Sequence, residues 1–299
     1  MKDLASQIRT LCKEKNAIIM AHYYTRPEIQ DVADFVGDSL ALAQKAKTID
    51  ADIIVLCGVH FMGETAKIIC PDKKVIIPDV NAGCSLADSC QANDLQKLKD
   101  THPDALVISY VNTTAAVKAI TDIVVTSSNA EKIVNQIDAN QPIIFGPDQN
   151  LGAYINKVTG RNMILWNGCC HVHSRFSAEE LNSYKLHYPH AIVLAHPECK
   201  KEVLELADVI GSTAALIHYA QTHDHEQYIV VTESGIEHEL KKQCPDRQFI
   251  FLPNECDYMR LNTLEKLYNC LRDEQPEIQV DKTIAEKAIL PIERMLSMS

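Results

Sequence analysis

The stretch AIIMAHYYTRPEIQDVADFVGDSLALAQKA, residues 17–46, returns twice more in altered form. ALVISYVNTTAAVKAITDIVVTSSNAEKIV occupies residues 105–134 and AIVLAHPECKKEVLELADVIGSTAALIHYA residues 191–220, at offsets of 88 and 86. Each copy opens on an apolar run that suits a strand buried on both faces. A polar residue follows, His22, Tyr110 or His196, and two positions on stands a second, Tyr24, Asn112 or Glu198. Twelve residues after the first comes Asp34, Asp122 or Asp208, and five beyond that a hydroxyl, Ser39, Ser127 or Thr213. Helix-like stretches separate these points, so the pattern reads strand, helix, strand, helix.

The correspondence continues outward. IIVLCGVHFMGETAKII, PIIFGPDQNLGAYINKV and YIVVTESGIEHELKKQ each read as strand, tight turn and helix. A last short strand follows, in KVIIPDV, NMILWNG and QFIFLPN, and just after it stand Cys84, Cys170 and Cys256, spaced by 86. Ahead of each copy lies an amphipathic helix, in DLASQIRTLCKEK, NDLQKLKDTH and AEELNSYKLHY. The expected fold is α/β: three repeated units with parallel sheets covered on both faces, set around a pseudo-threefold axis with a central active site. The units span residues 1–88, 89–175 and 176–262. Residues 263–299 form a helical tail in which Pro291 kinks or ends the last helix.

Composition narrows the function. The 299 residues carry 29 Lys plus Arg against 40 Asp plus Glu, a net charge of −11, with no basic cluster to hold nucleic acid. No apolar run reaches the length of a membrane span, and the start, MKDLASQIRTLCKEKN, does not resemble a secretory signal. Eleven cysteines without such a signal point to a reducing cytoplasm, where cysteines are core residues, metal ligands or nucleophiles. There is no C-x-x-C pair, no G-x-G-x-x-G and no P-loop.

Ligand sites of open α/β sheets lie beyond the carboxyl ends of the strands, which is where the repeat aims its polar residues and its three thiols. Three converging thiolates repel one another unless a soft cation holds them, either zinc or an iron-sulfur cluster. Three ligands leave an open position, and an open iron is a Lewis acid. Cys169 competes with Cys170, and the period selects Cys170; the other eight cysteines read as core. Ser39, Ser127 and Thr213 are expected to N-cap helices, and such helix starts can also hold phosphate or carboxylate. His22, Tyr110 and His196 are candidates for acid/base work or substrate binding. Glu198 is the one carboxylate of its trio and the first candidate for carrying protons, its pKa expected to rise with burial. The aspartates twelve residues on read as structural. Rival readings are another hydro-lyase on a hydroxy acid, a non-enzymatic iron-sulfur sensor, and a zinc enzyme with three cysteine ligands.

The motifs AHYYTRPEIQDVADFVGDSLALA, CGVHFMGETAKI, AGCSLAD, SYVNTTAAVKA, PDQNLG, WNGCCHVH, AHPEC and ADVIGST, in this order, resemble the quinolinate synthase family. The resemblance implies a cytoplasmic enzyme of NAD biosynthesis that condenses iminoaspartate with dihydroxyacetone phosphate to quinolinate, phosphate and water. It also implies a 4Fe-4S cluster on Cys84, Cys170 and Cys256, and possible transient contact with an enzyme that produces iminoaspartate. The family's substrate contacts fall on His22, Ser39, Tyr110, Asn112, Ser127, His196, Glu198 and Thr213, with Tyr24 and His173 in matching motifs. Of these, Glu198, His196, Tyr110 and Tyr24 are the expected catalytic residues. A C-x-x-C-x-x-C run carried by some members is missing around Cys256.

Overall fold

The computed structural model describes residues 2–299. It contains three four-stranded sheets, and every strand pairing within them is parallel. The first holds β1 (Ala17–His22), β2 (Phe35–Gly37), β3 (Ile53–Cys57) and β4 (Lys74–Ile76). The second holds β5 (Leu106–Tyr110), β6 (Ile123–Val125), β7 (Ile143–Gly146) and β8 (Ile164–Leu165). The third holds β9 (Ile192–Ala195), β10 (Val209–Ile210), β11 (Gln227–Val231) and β12 (Gln248–Phe251). All three share one order, with the first strand of the unit between its second and third: β2-β1-β3-β4, β6-β5-β7-β8 and β10-β9-β11-β12. The register agrees too, since Ala21 faces Cys57, Ser109 faces Gly146 and Ala195 faces Val231.

Apolar alternation makes these sheets two-sided. In the first, Ile19, Ala21, Val55 and Cys57 pack to one side, under the helices Lys2–Glu14 and Leu264–Asp273. Met20, Ile54 and Leu56 face the opposite core, which is shared with the second unit. Burying one such aliphatic side chain stabilises the fold by about 1.5–3 kcal/mol. The helices expected ahead of each copy are Lys2–Glu14, Ala92–Thr101 and Ala178–His187; the first two are amphipathic, whereas the third has its apolar residues spread around the helix and buries only Leu181. The aspartates of the repeat do the same structural task three times. Asp34, Asp122 and Asp208 each accept the amide of Ile19, Val107 or Val193 at 2.8 Å, pinning the second strand of the unit beside the first.

The last residues form two helices. Leu264–Asp273 packs on Lys2–Glu14, while Lys282–Met298 lies across β6, the helix Ala115–Lys118 and the helix His60–Ile69, tying the first unit to the second. Pro291 sits buried inside the last helix without ending it. No helix among the described residues is long and apolar enough to cross a membrane.

Candidate active site

The carboxyl ends of the three sheets open on one cavity. His22 ends β1, Tyr110 ends β5 and His196 follows β9, each beside the point where the strand order reverses. Every site residue expected from the sequence lines this cavity: His22, Tyr24 and Ser39 with Tyr110, Asn112 and Ser127, then His173, His196, Glu198 and Thr213, and the three cysteines.

The two histidines are held alike. His22 Nδ1 accepts the amide of Tyr24 at 3.1 Å, and His196 Nδ1 accepts that of Glu198 at 3.3 Å. An Nδ1 that accepts carries no proton, so each ring is neutral with its proton on Nε2. Burial pushes His22 down to about 4, against the pull of Asp38 and Glu198, and pushes His196 down to about 3.

Glu198 is 3% exposed and is the hub of the site. The Tyr110 hydroxyl donates to its Oε1 at 2.6 Å, and His173 Nδ1 lies 2.9 Å from its Oε2. His173 reaches Thr232 Oγ1 through Nε2 at 2.9 Å and stacks on His196 at 4.7 Å. Tyr24 OH bonds to both Thr213 Oγ1 and Thr232 Oγ1 at 2.7 Å, which carries the chain of contacts from the first unit into the third. Burial raises both phenols well above their usual range; beside Tyr110 the Glu198 charge adds to the rise. The expectation for Glu198 itself is overturned. Burial opposes its charge, yet the attraction of His173 and the bonds from His173 and Tyr110 outweigh it and hold the carboxyl below its ordinary value. Asn112 Oδ1 is buried and has no partner among the described residues.

The three cysteines repeat one local geometry. The carbonyls of Cys84, Cys170 and Cys256 accept the amides of Asp88, Ser174 and Arg260, each four residues on, at 2.9, 2.9 and 3.1 Å. Each cysteine therefore opens a short helical turn, and nearby backbone N–H groups, of Leu86 and Ala87, of His173, and of Tyr258 and Met259, favour the ionised sulfur. Ser85 Oγ bonds to His171 Nδ1 at 2.8 Å and joins the first two turns. These three and Cys169 are half-buried while the other seven are buried, and Cys169 does not line the cavity. As bare thiols they are held protonated: burial pushes Cys84 to about 12 and Cys256 to about 11, and the neighbouring sulfurs add to the rise at Cys84 and Cys170. Soft donors that repel one another as anions and are met by N–H dipoles fit a cationic thiophilic group. The trio of ligand atoms that lie within 4.8 Å of one another among the described residues is Cys170, His173 and Glu198; the three sulfurs are not all within that distance of one another.

The hydroxyls are not the caps. The capping side chain falls one residue earlier, where Asp38 accepts from Ala41 at 2.9 Å and Ser212 from Ala215 at 3.2 Å. In the second unit Thr126 and Asn129 bond to each other, and the helix starts only at Ala130. Ser39, Ser127 and Thr213 are thus freed from capping; Ser127 Oγ lies 3.3 Å from His196 Nε2. Sequence reasoning missed two buried carboxylates. Asp148 and Glu233 accept the amides of Cys170 and Cys256 at 3.0 and 3.1 Å, and Val59 takes this place in the first unit. Burial raises Asp148 well above its ordinary value and pushes Glu233 up to about 7, the latter against Arg260 at 3.1 Å. Their spacing of 85 hides them from a search at 86.

A profile of the family described as "Quinolinate synthetase A protein" matches residues 6–297. A quinolinate synthase of Microcystis aeruginosa (strain NIES-843 / IAM M-2473) is 53% identical over 304 residues, covering 99% of this chain and 95% of its own length. That of Chloroherpeton thalassium (strain ATCC 35110 / GB-78) is 53% identical over 305 residues, 99% and 95% of the two chains. That of Cyanophora paradoxa is 52% identical over 305 residues, 100% and 93%. With this likeness running through every strand that carries a site residue, the chain belongs to the quinolinate synthase family of enzymes.

Proposed function

We propose that the chain condenses iminoaspartate with dihydroxyacetone phosphate, forming quinolinate with release of one phosphate and two waters, in the cytoplasmic synthesis of NAD. The observation that carries this reading is the meeting of three repeat-equivalent cysteines with the Glu198–Tyr110–His173 network in one cavity. A 4Fe-4S cluster bound by Cys84, Cys170 and Cys256 supplies an iron with a free coordination position, a Lewis acid toward a substrate hydroxyl or carboxylate. A transient partner that delivers iminoaspartate is part of the proposal.

The protein's own groups divide the remaining work. His22 and His196, neutral with the proton on Nε2, bind carbonyl or carboxylate oxygens without adding charge, His196 by exchanging its Ser127 contact for the substrate. The Ser39, Ser127 and Thr213 hydroxyls and the Asn112 amide hold the anionic ends of the substrates. Glu198, ionised, accepts a proton from a substrate carbon or nitrogen. Tyr110, kept protonated, donates one, and Tyr24 with His173 relays through Thr232. The test is anaerobic isolation with iron and sulfide counted per chain, followed by assay of quinolinate from the two substrates. Cluster-loaded protein that makes no quinolinate overturns the proposal, and zinc in place of iron overturns its cofactor.

A further inference from the structure

The loops that carry Tyr24 and Asn112 are each held by one buried side chain from the helix that follows. Gln30, in Pro27–Val32, donates from Nε2 to the carbonyls of Tyr23 and Thr25 at 2.8 Å, and also to that of Gly235 at 3.0 Å. Lys118, in Ala115–Lys118, donates from Nζ to the carbonyl of Val111 at 2.8 Å and to the carbonyl and hydroxyl of Thr113. Gln30 and Lys118 are 88 residues apart, as are Tyr23 and Val111, Tyr24 and Asn112, and Thr25 and Thr113. The same donor thus grips the carbonyls on either side of the same cavity residue in two units.

Neither side chain has another evident task. Lys118 is wholly buried, with no carboxylate in its bonds, and its ammonium stands 5.4 Å from the centre of the Phe61 ring, itself at the cavity wall. Gln30 is 3% exposed, and its Oε1 is left unpartnered while the amide nitrogen serves three carbonyls. Burying an ammonium or an unpaired amide oxygen is unfavourable and persists only where the bonds it makes matter. The third unit has Leu204 at this place, and Glu198 is held instead through its own carbonyl, which accepts Asn150 Nδ2 at 3.1 Å.

We infer that Lys118 and Gln30 are positioning residues that fix Asn112 and Tyr24 toward the substrate by clamping the carbonyls beside them. The inference rests on the proposed quinolinate chemistry only for which ligand Asn112 meets. It has a built-in rescue: Gln performs this task in the first unit, so Gln should perform it in the second.

The test compares Lys118→Met and Lys118→Gln with the parent holoenzyme. The first readout is hydrogen exchange of peptides spanning residues 110–115, and the second is the affinity for pyridine-2,3-dicarboxylate. Lys118→Met is expected to speed exchange at least tenfold and weaken binding by tenfold or more with iron per chain unchanged. Lys118→Gln is expected to stay within threefold of the parent in both. In an Asn112→Ala background, Lys118→Met should weaken binding by less than threefold, since the residue it positions is gone; fully additive losses refute the clamp, as does parent-like exchange in Lys118→Met. If Lys118→Met does not fold, Lys118→Gln decides, and exchange or affinity changed tenfold there overturns the inference. A parent that binds no pyridine dicarboxylate refutes the functional reading instead, and the exchange comparison still decides the clamp.

Discussion

Replacing Glu198 by Gln keeps the outline of the side chain and removes its charge and its capacity to take up a proton. Two contacts are affected, Tyr110 at 2.6 Å and His173 at 2.9 Å. A bond to a charged group is worth about 1.5–3 kcal/mol and a neutral one about 0.5–1.5, so the resting site loses roughly 2–3 kcal/mol over the pair. Tyr110 can still donate to the amide oxygen, and His173 can accept from the amide nitrogen once its proton moves to Nε2, where Thr232 accepts it. The fold and the cysteine turns should therefore survive. Proton transfer does not survive, and losing a general acid or base slows turnover about 10²–10⁴-fold, roughly 2.7–5.4 kcal/mol in the barrier. The assay is iron per chain, affinity for quinolinate and turnover, all under anaerobic conditions. We expect unchanged iron, affinity within about tenfold and the stated loss of turnover. Turnover within threefold of the parent, with iron retained, would falsify the proton-carrying role and leave Glu198 as a binding residue.

Cys84→Ala, Cys170→Ala and Cys256→Ala should each lose iron and brown absorbance after reconstitution, while Cys169→Ala and Cys90→Ala keep both; loading that survives in Cys170→Ala contradicts the placement of the second ligand. His22, lowered to about 4, gives stability a definite slope with pH. Between pH 6.5 and 4 the unfolded chain binds a proton that the folded chain refuses, so stability falls as pH falls, by on the order of 3 kcal/mol at pH 4. Urea unfolding of His22→Asn should show a correspondingly shallower acid decline, and equal slopes rule the buried neutral ring out as the cause. Asp208→Ala removes the acceptor of the Val193 amide and should cost about 1–3 kcal/mol; a melting temperature equal to the parent's would show that the strand pin is idle.

The fold was legible because its signal is repeated. One strand-helix unit is ambiguous, but three copies carrying Asp34, Asp122 and Asp208 at a constant distance from the strand leave little freedom. Those aspartates pair the second strand with the first, a backbone duty that tolerates no shift of register, and so their spacing survived. Asp148 and Glu233 were hidden because the chain drops one residue between β9 and β11 relative to β5 and β7, and regains it before β12. The hydroxyls were misread as caps because a helix start is uncertain by a residue from sequence, and the cap went to Asp38 and Ser212. Burial alone misjudges the pKa of Glu198, because it leaves out the two donors, Tyr110 and His173, that the second unit delivers.

Tyr24, Asn112 and Glu198 occupy one position of the repeat, and their difference has a stereochemical consequence. A cup of strict threefold symmetry presents three identical walls, and a ligand without that symmetry lies in it in three degenerate poses. If chemistry needs one of them, the degeneracy costs RT ln 3, about 0.65 kcal/mol, and two in three encounters are idle. A phenol, an amide and a carboxylate on the three walls remove the degeneracy. The duplicated scaffold supplies the shape of the vessel, and the divergence of one residue in each copy supplies its handedness.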